Sequence, residues 1–219
     1  MFKVRVVSYS KPAIGVELKD DLLQMVAYCA RVSNPNNQNN EETAEKLVKY
    51  LIKHQHWSPL EMASVCMEID TTRDIARQIL RHRSFSFQEF SQRYADPTKD
   101  LSFVTREARM QDDKNRQNSV EIGIDDPIHH IWESYQEVII ERCKHAYEWA
   151  IDAGIAKEQA RAILPEGLTM SRMYVNGTLR SWIHYIQLRA ANGTQKEHQE
   201  IAKACAEAIY QIFPLDDVI

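Results

Sequence analysis

Residues 62–83 read MASVCMEIDTTRDIARQILRHR, and two periodicities meet within this run. Over 62–71 the apolar Val65, Met67 and Ile69 alternate with Ser64, Cys66 and Glu68, as in a strand covered on one face. From about Thr72 to Arg83 the spacing becomes that of a short helix. Working outward, residues 2–8 alternate weakly and predict a strand, while 21–31 predict a helix. Ser33-Asn34-Pro35-Asn36-Asn37 is a polar, turn-rich loop. From Ala44 the residues Leu47, Val48, Leu51 and Ile52 repeat at helical spacing, with Asn40 as the expected cap. His54 to Pro59 breaks that helix. Residues 94–125 are polar and irregular, and predict a long surface loop of the kind that often carries function.

The clearest helix follows. Asp126 caps it, Pro127 takes its first turn, and Gly154 ends it. Its stripe is Ile128, Ile131, Trp132, Tyr135, Val138, Ile139, Cys143, Ala146, Tyr147 and Ala150. Further helices are expected at about 156–163, 178–190 and 196–213, the last stopped by Pro214. With no repeat, low-complexity tract or linker, the chain reads as one α+β domain over 1–219, a mixed sheet with several helices.

The 219 residues are 44% hydrophobic, enough for one substantial core. A net charge of −4 argues against a general nucleic-acid binder, though it permits a local basic site. Cys29, Cys66, Cys143 and Cys205 have no paired spacing and predict reduced, buried thiols. Residues 1–20 have no secretion core and no stretch reaches the length of a membrane span, so a soluble cytoplasmic protein is expected. His54, His56 and Glu61 match no helical metal motif, and no metal is expected.

Chemistry concentrates between Arg73 and Arg93. On a helix Arg73, Arg77 and Arg81 stack on one face, where like charges repel by roughly 0.2–0.5 kcal/mol per pair. For Arg73 and Arg77 a solvated face is expected, with Asp70 and Asp74 relieving the repulsion. Arg81-His82-Arg83 is followed by Ser84, Ser86, Glu89 and Ser91. Guanidinium forks and hydroxyls suit phosphate oxygens, and a carboxylate suits a sugar hydroxyl or base. The set asks for a nucleotide.

Arg81-His82-Arg83, then seven residues, then Ser91, resembles the R-H-R-x7-S signature of flavin-dependent thymidylate synthases. The wider run from Gln78 through Ser86, Glu89, Ser91 and Arg93 to Tyr94 is similar to that family too. So are Cys29-Ala30-Arg31-Val32-Ser33 and His56-Trp57-Ser58-Pro59-Leu60-Glu61. Ala160-Arg161, Leu164-Pro165, Leu179-Arg180-Ser181, Leu188-Arg189 and Gln195-x-Glu197 follow in the family's order. The resemblance covers most of the chain and is weakest over 94–125.

The resemblance implies transfer of a one-carbon unit from 5,10-methylenetetrahydrofolate to carbon 5 of dUMP, with FAD delivering the hydride and NADPH restoring it. It implies flavin contacts at Ser33, His56, Ser58, Arg81, His82, Arg83, Glu89, Thr178, Leu179, Arg180 and His184. It implies nucleotide contacts at Gln78, Arg81, Glu89, Phe90, Ser91, Gln92, Arg93, Arg161 and Arg189. Arg189 is expected to activate the pyrimidine. Ser91 lacks a neighbouring base in the sequence and is read as a substrate ligand, not a nucleophile. A homotetramer with shared sites is also implied. Three departures fall near the flavin: Met62 and His184, where many members carry histidine and asparagine, and Gly193-Thr194, where His-Ala is common. Two rivals remain: a regulatory nucleotide binder without catalysis, against which Arg189 is present, and an RNA-binding module, against which the acidic charge and Glu89 argue.

Overall fold

The structure, a computed structural model, describes residues 2–16, 18–19 and 21–215. Strand β1 (Lys3–Tyr9) leads to helices α1 (Leu22–Ala30) and α2 (Ala44–Lys53). A 3-10 turn at Ser58–Met62 then enters strand β2 (Ser64–Thr72), which passes directly into helix α3 (Arg73–Ile79) and strand β3 (Ser86–Glu89). After helix α4 (Pro97–Asp100), strands β4 (Arg109–Gln111) and β5 (Ser119–Glu121) pair as a hairpin. The 26-residue helix α5 (Pro127–Asp152) follows, then α6 (Lys157–Ala160), strand β6 (Met170–Thr178), α7 (Leu179–Arg189) and α8 (Lys196–Tyr210).

The main sheet has the order β1-β2-β6-β3 and is antiparallel throughout. Its register slips between Val6 and Ser8, a bulge in the edge strand β1. One face packs Val65, Met67, Ile69, Met173 and Val175 against α1, α7 and α8, all at 0% exposure. Trp182 of α7 fixes this packing by donating its ring N–H to Val65 O at 3.0 Å. The other face is polar. Arg5 grips Glu68 with two bonds of 2.7 and 2.9 Å, Tyr174 donates to the same carboxylate, and Arg172 clasps Asp70. The fold is thus α+β, with a sheet covered on one side by helices.

Several expectations change. Helix α3 ends at Ile79, so Arg81–Arg83 lie in the turn beyond it rather than on the helix. The chain turns there because β3 must reach its register beside β6. Phe85 occupies the corner, flat against Gly177: a Cβ on Gly177 would stand 2.3 Å from the Phe85 ring. Asn40 does not cap α2. Thr43 holds the cap position, and Asn40 Oδ1 accepts from Thr43 N–H. Residues 94–125 contain α4 and the hairpin rather than a structureless loop, tied down by Phe103 bridging Thr169.

The central strand β6 escapes the sequence reading altogether. Helix α5 has the predicted cap, Asp126 accepting from Ile128 N–H, and ends before Gly154 at φ 81°. Its stripe divides, however. Tyr147 and Ala150 are buried against Ala160 and Leu164, while Ile128, Ile131, Trp132, Tyr135, Val138 and Ile139 stay exposed. All four cysteines are free, and only Cys205 is fully buried. No described helix is long and apolar enough to cross a membrane.

Candidate functional site

Strands β2 and β6 are antiparallel, so α3 and α7 leave from opposite ends of the sheet, and the turn after α3 meets the last turn of α7 at His82 and Arg189. Arg189 Nε donates to His82 Nε2 at 2.9 Å. His82 can accept only as the neutral ring, and burial and then the Arg189 charge both hold its pKa below the ordinary histidine range. The remaining guanidinium nitrogens of Arg189 make no hydrogen bond or ion pair among the described residues, leaving a half-exposed fork of donors.

Gln78, half-buried on α3, donates to Gln195 Oε1 at 2.8 Å. Its own oxygen lies 3.2 Å from His198 Nδ1, and His198 Nε2 lies 3.1 Å from the Tyr185 hydroxyl. His82 meets the Tyr185 ring edge to face at 5.0 Å. Gln78, His82, Arg189 and Gln195 therefore form one group drawn from α3, the turn after it, α7 and the start of α8. Tyr185 and His198, which tie it together, were missed as functional candidates. The signal was present: His198 stands at the head of the buried stripe of Ile201, Ala202, Cys205 and Ile209 on α8.

A second group forms around the 3-10 turn. Glu61 pairs with Arg180, and Trp57 meets the His184 ring at 4.4 Å. His56 and Ser58 are exposed beside them, presented by Gln55 in the left-handed region at φ 58°. His184 is held below the ordinary histidine range by burial and by Arg180. Ser33 lines a neighbouring cavity of about 480 Å³ with Arg31, Asn34 and Lys46. Thr178 caps α7 through Ser181 N–H, and the Leu179 N–H is committed to Ala63 O at 2.9 Å. Buried at 0% exposure and with its N–H already bonded, Leu179 has no free group for the flavin contact the resemblance implies there.

Arg81 and Arg83 are exposed and have no carboxylate partner among the described residues. Two unpaired guanidinium groups fit a ligand with anionic oxygens such as a dinucleotide pyrophosphate. The expectation of a solvated face holds for Arg77 and is overturned for Arg73, and the compensating carboxylates are not the expected ones. Arg73 is 5% exposed and reaches Glu89 and Glu166, and Arg77 spans the same two carboxylates. Asp70 and Asp74 serve elsewhere, on Arg172 and Arg106. The carboxylates of β3 and of the segment before β6 compensate the helix instead.

Glu89 also accepts from the Ser171 hydroxyl at 2.9 Å, which holds one of its oxygens in place. Phe90 is half-buried and Ser91 exposed, with no base hydrogen-bonded to the Ser91 hydroxyl. Gln92 is 4% exposed with its amide nitrogen unpartnered. Arg93 pairs with Glu158 at 3.2 Å, near Arg161 in the next turn of the chain. No hydrogen bond or ion pair among the described residues joins this third group to Arg189. A cleft of about 920 Å³ lies between the β4–β5 hairpin and α8, with Gln195, Lys196 and Trp132 on its walls. Among the described residues no three His, Cys, Asp or Glu side chains gather as a metal site.

A family model described as thymidylate synthase complementing protein matches residues 16–215. A probable flavin-dependent thymidylate synthase of Paramecium bursaria Chlorella virus 1 is 47% identical over 96% of this chain and 94% of its own. A flavin-dependent thymidylate synthase of Synechocystis is also 47% identical, over 96% and 95%. Among solved structures, the UMP/dUMP methylase PolB of Streptomyces cacaoi, bound with 5-Br dUMP, superposes with a TM-score of 0.80 at 25% identity. That match covers 98% of this chain and 92% of the other. With its matched segments running from the first helix to the end of α8, this chain belongs to the thymidylate synthase complementing protein family.

Proposed function

We propose that this protein is a flavin-dependent thymidylate synthase. It converts dUMP to dTMP in the cytoplasm, with 5,10-methylenetetrahydrofolate as carbon donor and NADPH as reductant of FAD. The observation that carries this reading is the Arg189–His82 bond, which brings the R-H-R run and the Leu188-Arg189 block into one site. Arg189 presents its free nitrogens to the pyrimidine and stabilises negative charge as it develops on the ring oxygen, which makes carbon 5 nucleophilic. His82, kept neutral, orients that guanidinium without competing for its charge. Gln78, Ser91, Arg93 and Arg161 bind the nucleotide, and Glu89 offers its outer carboxylate oxygen. Gln92 turns its unpartnered amide to the same ligand, beside Phe90.

Arg81 and Arg83 hold the flavin's anionic oxygens, and Ser33, His56, Ser58, Thr178, Arg180 and His184 line its path. Bound FAD supplies the hydride that completes the methyl group. No hydrogen bond or ion pair among the described residues joins Glu89, Ser91, Gln92, Arg93 or Arg161 to Arg189, and the open stripe of α5 is apolar over Ile128–Ile139. Both features support a homotetramer whose sites are completed between copies.

An anaerobic assay of the purified protein with all four small molecules, scored for dTMP by mass, tests the reading. Product that requires FAD is expected. A flavin-loaded protein that binds dUMP yet makes none would leave a nucleotide-binding protein without this chemistry.

A further inference from the structure

Tyr185 is 1% exposed, and its hydroxyl has one hydrogen-bond partner among the described residues, His198 Nε2 at 3.1 Å. A buried hydroxyl proton left without an acceptor is strongly penalised, so Tyr185 must donate to that nitrogen. Nε2 then carries no proton. His198, fully buried and held to about 4 by burial and then by the Arg189 charge, is neutral and bears its single proton on Nδ1. That N–H faces Gln78 Oε1 at 3.2 Å. The Gln78 nitrogen is thereby turned toward Gln195 Oε1 at 2.8 Å. Donation runs one way, from Tyr185 through His198 and Gln78 to Gln195. Turning the Gln78 carboxamide over would set its amino group against the His198 N–H, donor against donor.

From this geometry we infer that Tyr185 and His198 are positioning residues which fix the orientation of the Gln78 carboxamide, leaving its second N–H for the nucleotide. The inference rests on the reading of Gln78 as a nucleotide ligand given above. Tyr185 has a second duty on its other side. Its ring takes the edge of His82, which is itself held as the Nδ1–H form because Nε2 accepts from Arg189. One side chain of α7 thus supports both the Arg189 acceptor and the Gln78 orientation. Two histidines, His198 buried and His82 half-buried, are held in the tautomer that free imidazole disfavours.

Two measurements test this. Nitrogen-15 NMR of histidine-labelled protein should give His198 as the Nδ1–H tautomer, and Tyr185→Phe, which keeps the ring, should release that preference. Calorimetric titration with dUMP should show binding about tenfold weaker in Tyr185→Phe, while kcat stays within about twofold and FAD occupancy is unchanged. In a Gln78→Ala background the Tyr185→Phe change should have no further effect, whereas a merely structural role for the hydroxyl would weaken binding in both backgrounds. An Nε2–H His198, or unchanged dUMP affinity in Tyr185→Phe, overturns the inference while leaving the proposed function intact. A wild-type protein that binds no dUMP overturns both.

Discussion

The α7–α8 side of the sheet and the outward stripe of α5 are equally apolar in composition and opposite in fate. On the first, Leu179, Trp182, Ile183 and Ile186 stand at 0–3% exposure, and Trp182 and Tyr185 have hydrogen-bond partners within the chain. On the second, residues of the same kind stand at 45–64% exposure. Helical periodicity reports that a face must be covered and is silent about what covers it. One face is finished by its own fold, and the other is left uncovered within the chain.

The sharpest way to break this contrast is to place the same charge on each face. Ile183→Glu should abolish folding or cost upward of about 4 kcal/mol, since the carboxylate would be buried without a partner. Ile131→Glu should change the stability of the single chain by roughly 0.5 kcal/mol or less and instead reduce its assembly, read by sedimentation. Equal losses of single-chain stability would erase the distinction.

Arg189→Ala tests the chemistry carried by the finished side. Methylation should fall about 10²–10³-fold with FAD retained, the cost of removing one preorganised charge-stabilising group. Undiminished turnover would remove Arg189 from the reaction.

Gly177→Ala probes the packing of that side, because the added methyl meets Phe85 at 2.3 Å with a strand behind it. Overpacking of this kind costs typically 1–3 kcal/mol, and Phe85→Leu in the same chain should recover part of it. A thermal melt of the three variants decides.

The smallest effect lies on the polar face of the sheet. Arg5, then Tyr174, lower the Glu68 carboxyl to about 2. A depressed carboxyl contributes stability that is present above its unfolded value and is lost as pH falls through its folded one. Between about pH 4.5 and 2 the melting temperature should therefore drop, and Glu68→Gln should flatten that part of the profile. An unchanged slope would show that Arg5 confers no stability through this pair.

These contrasts also mark how far the sequence could be read. Strand β2 and helix α5 stood out because β-period alternation and a capped helical stripe are local signals. Strand β6 did not, although Met173, Val175 and Gly177 alternate with Arg172, Tyr174 and Asn176. Asn176-Gly177 carries the signature of a turn, and the reason for that glycine is the Phe85 ring, distant in sequence. The site was legible as types and spacing. Arg81, His82 and Ser91 stood out as a constellation and Arg189 only through the family resemblance, but their pairing did not. The compensation of Arg73 by Glu89 and Glu166 is a tertiary fact that charge spacing along one helix cannot contain.

The slip in register between Val6 and Ser8 has a bearing on how copies of this chain can meet. A bulged outer strand twists away and offers no straight ladder of free amides to a neighbour. At the opposite margin β3 is only four residues long. With both margins of the sheet blunted, fibril-like growth by strand addition is suppressed.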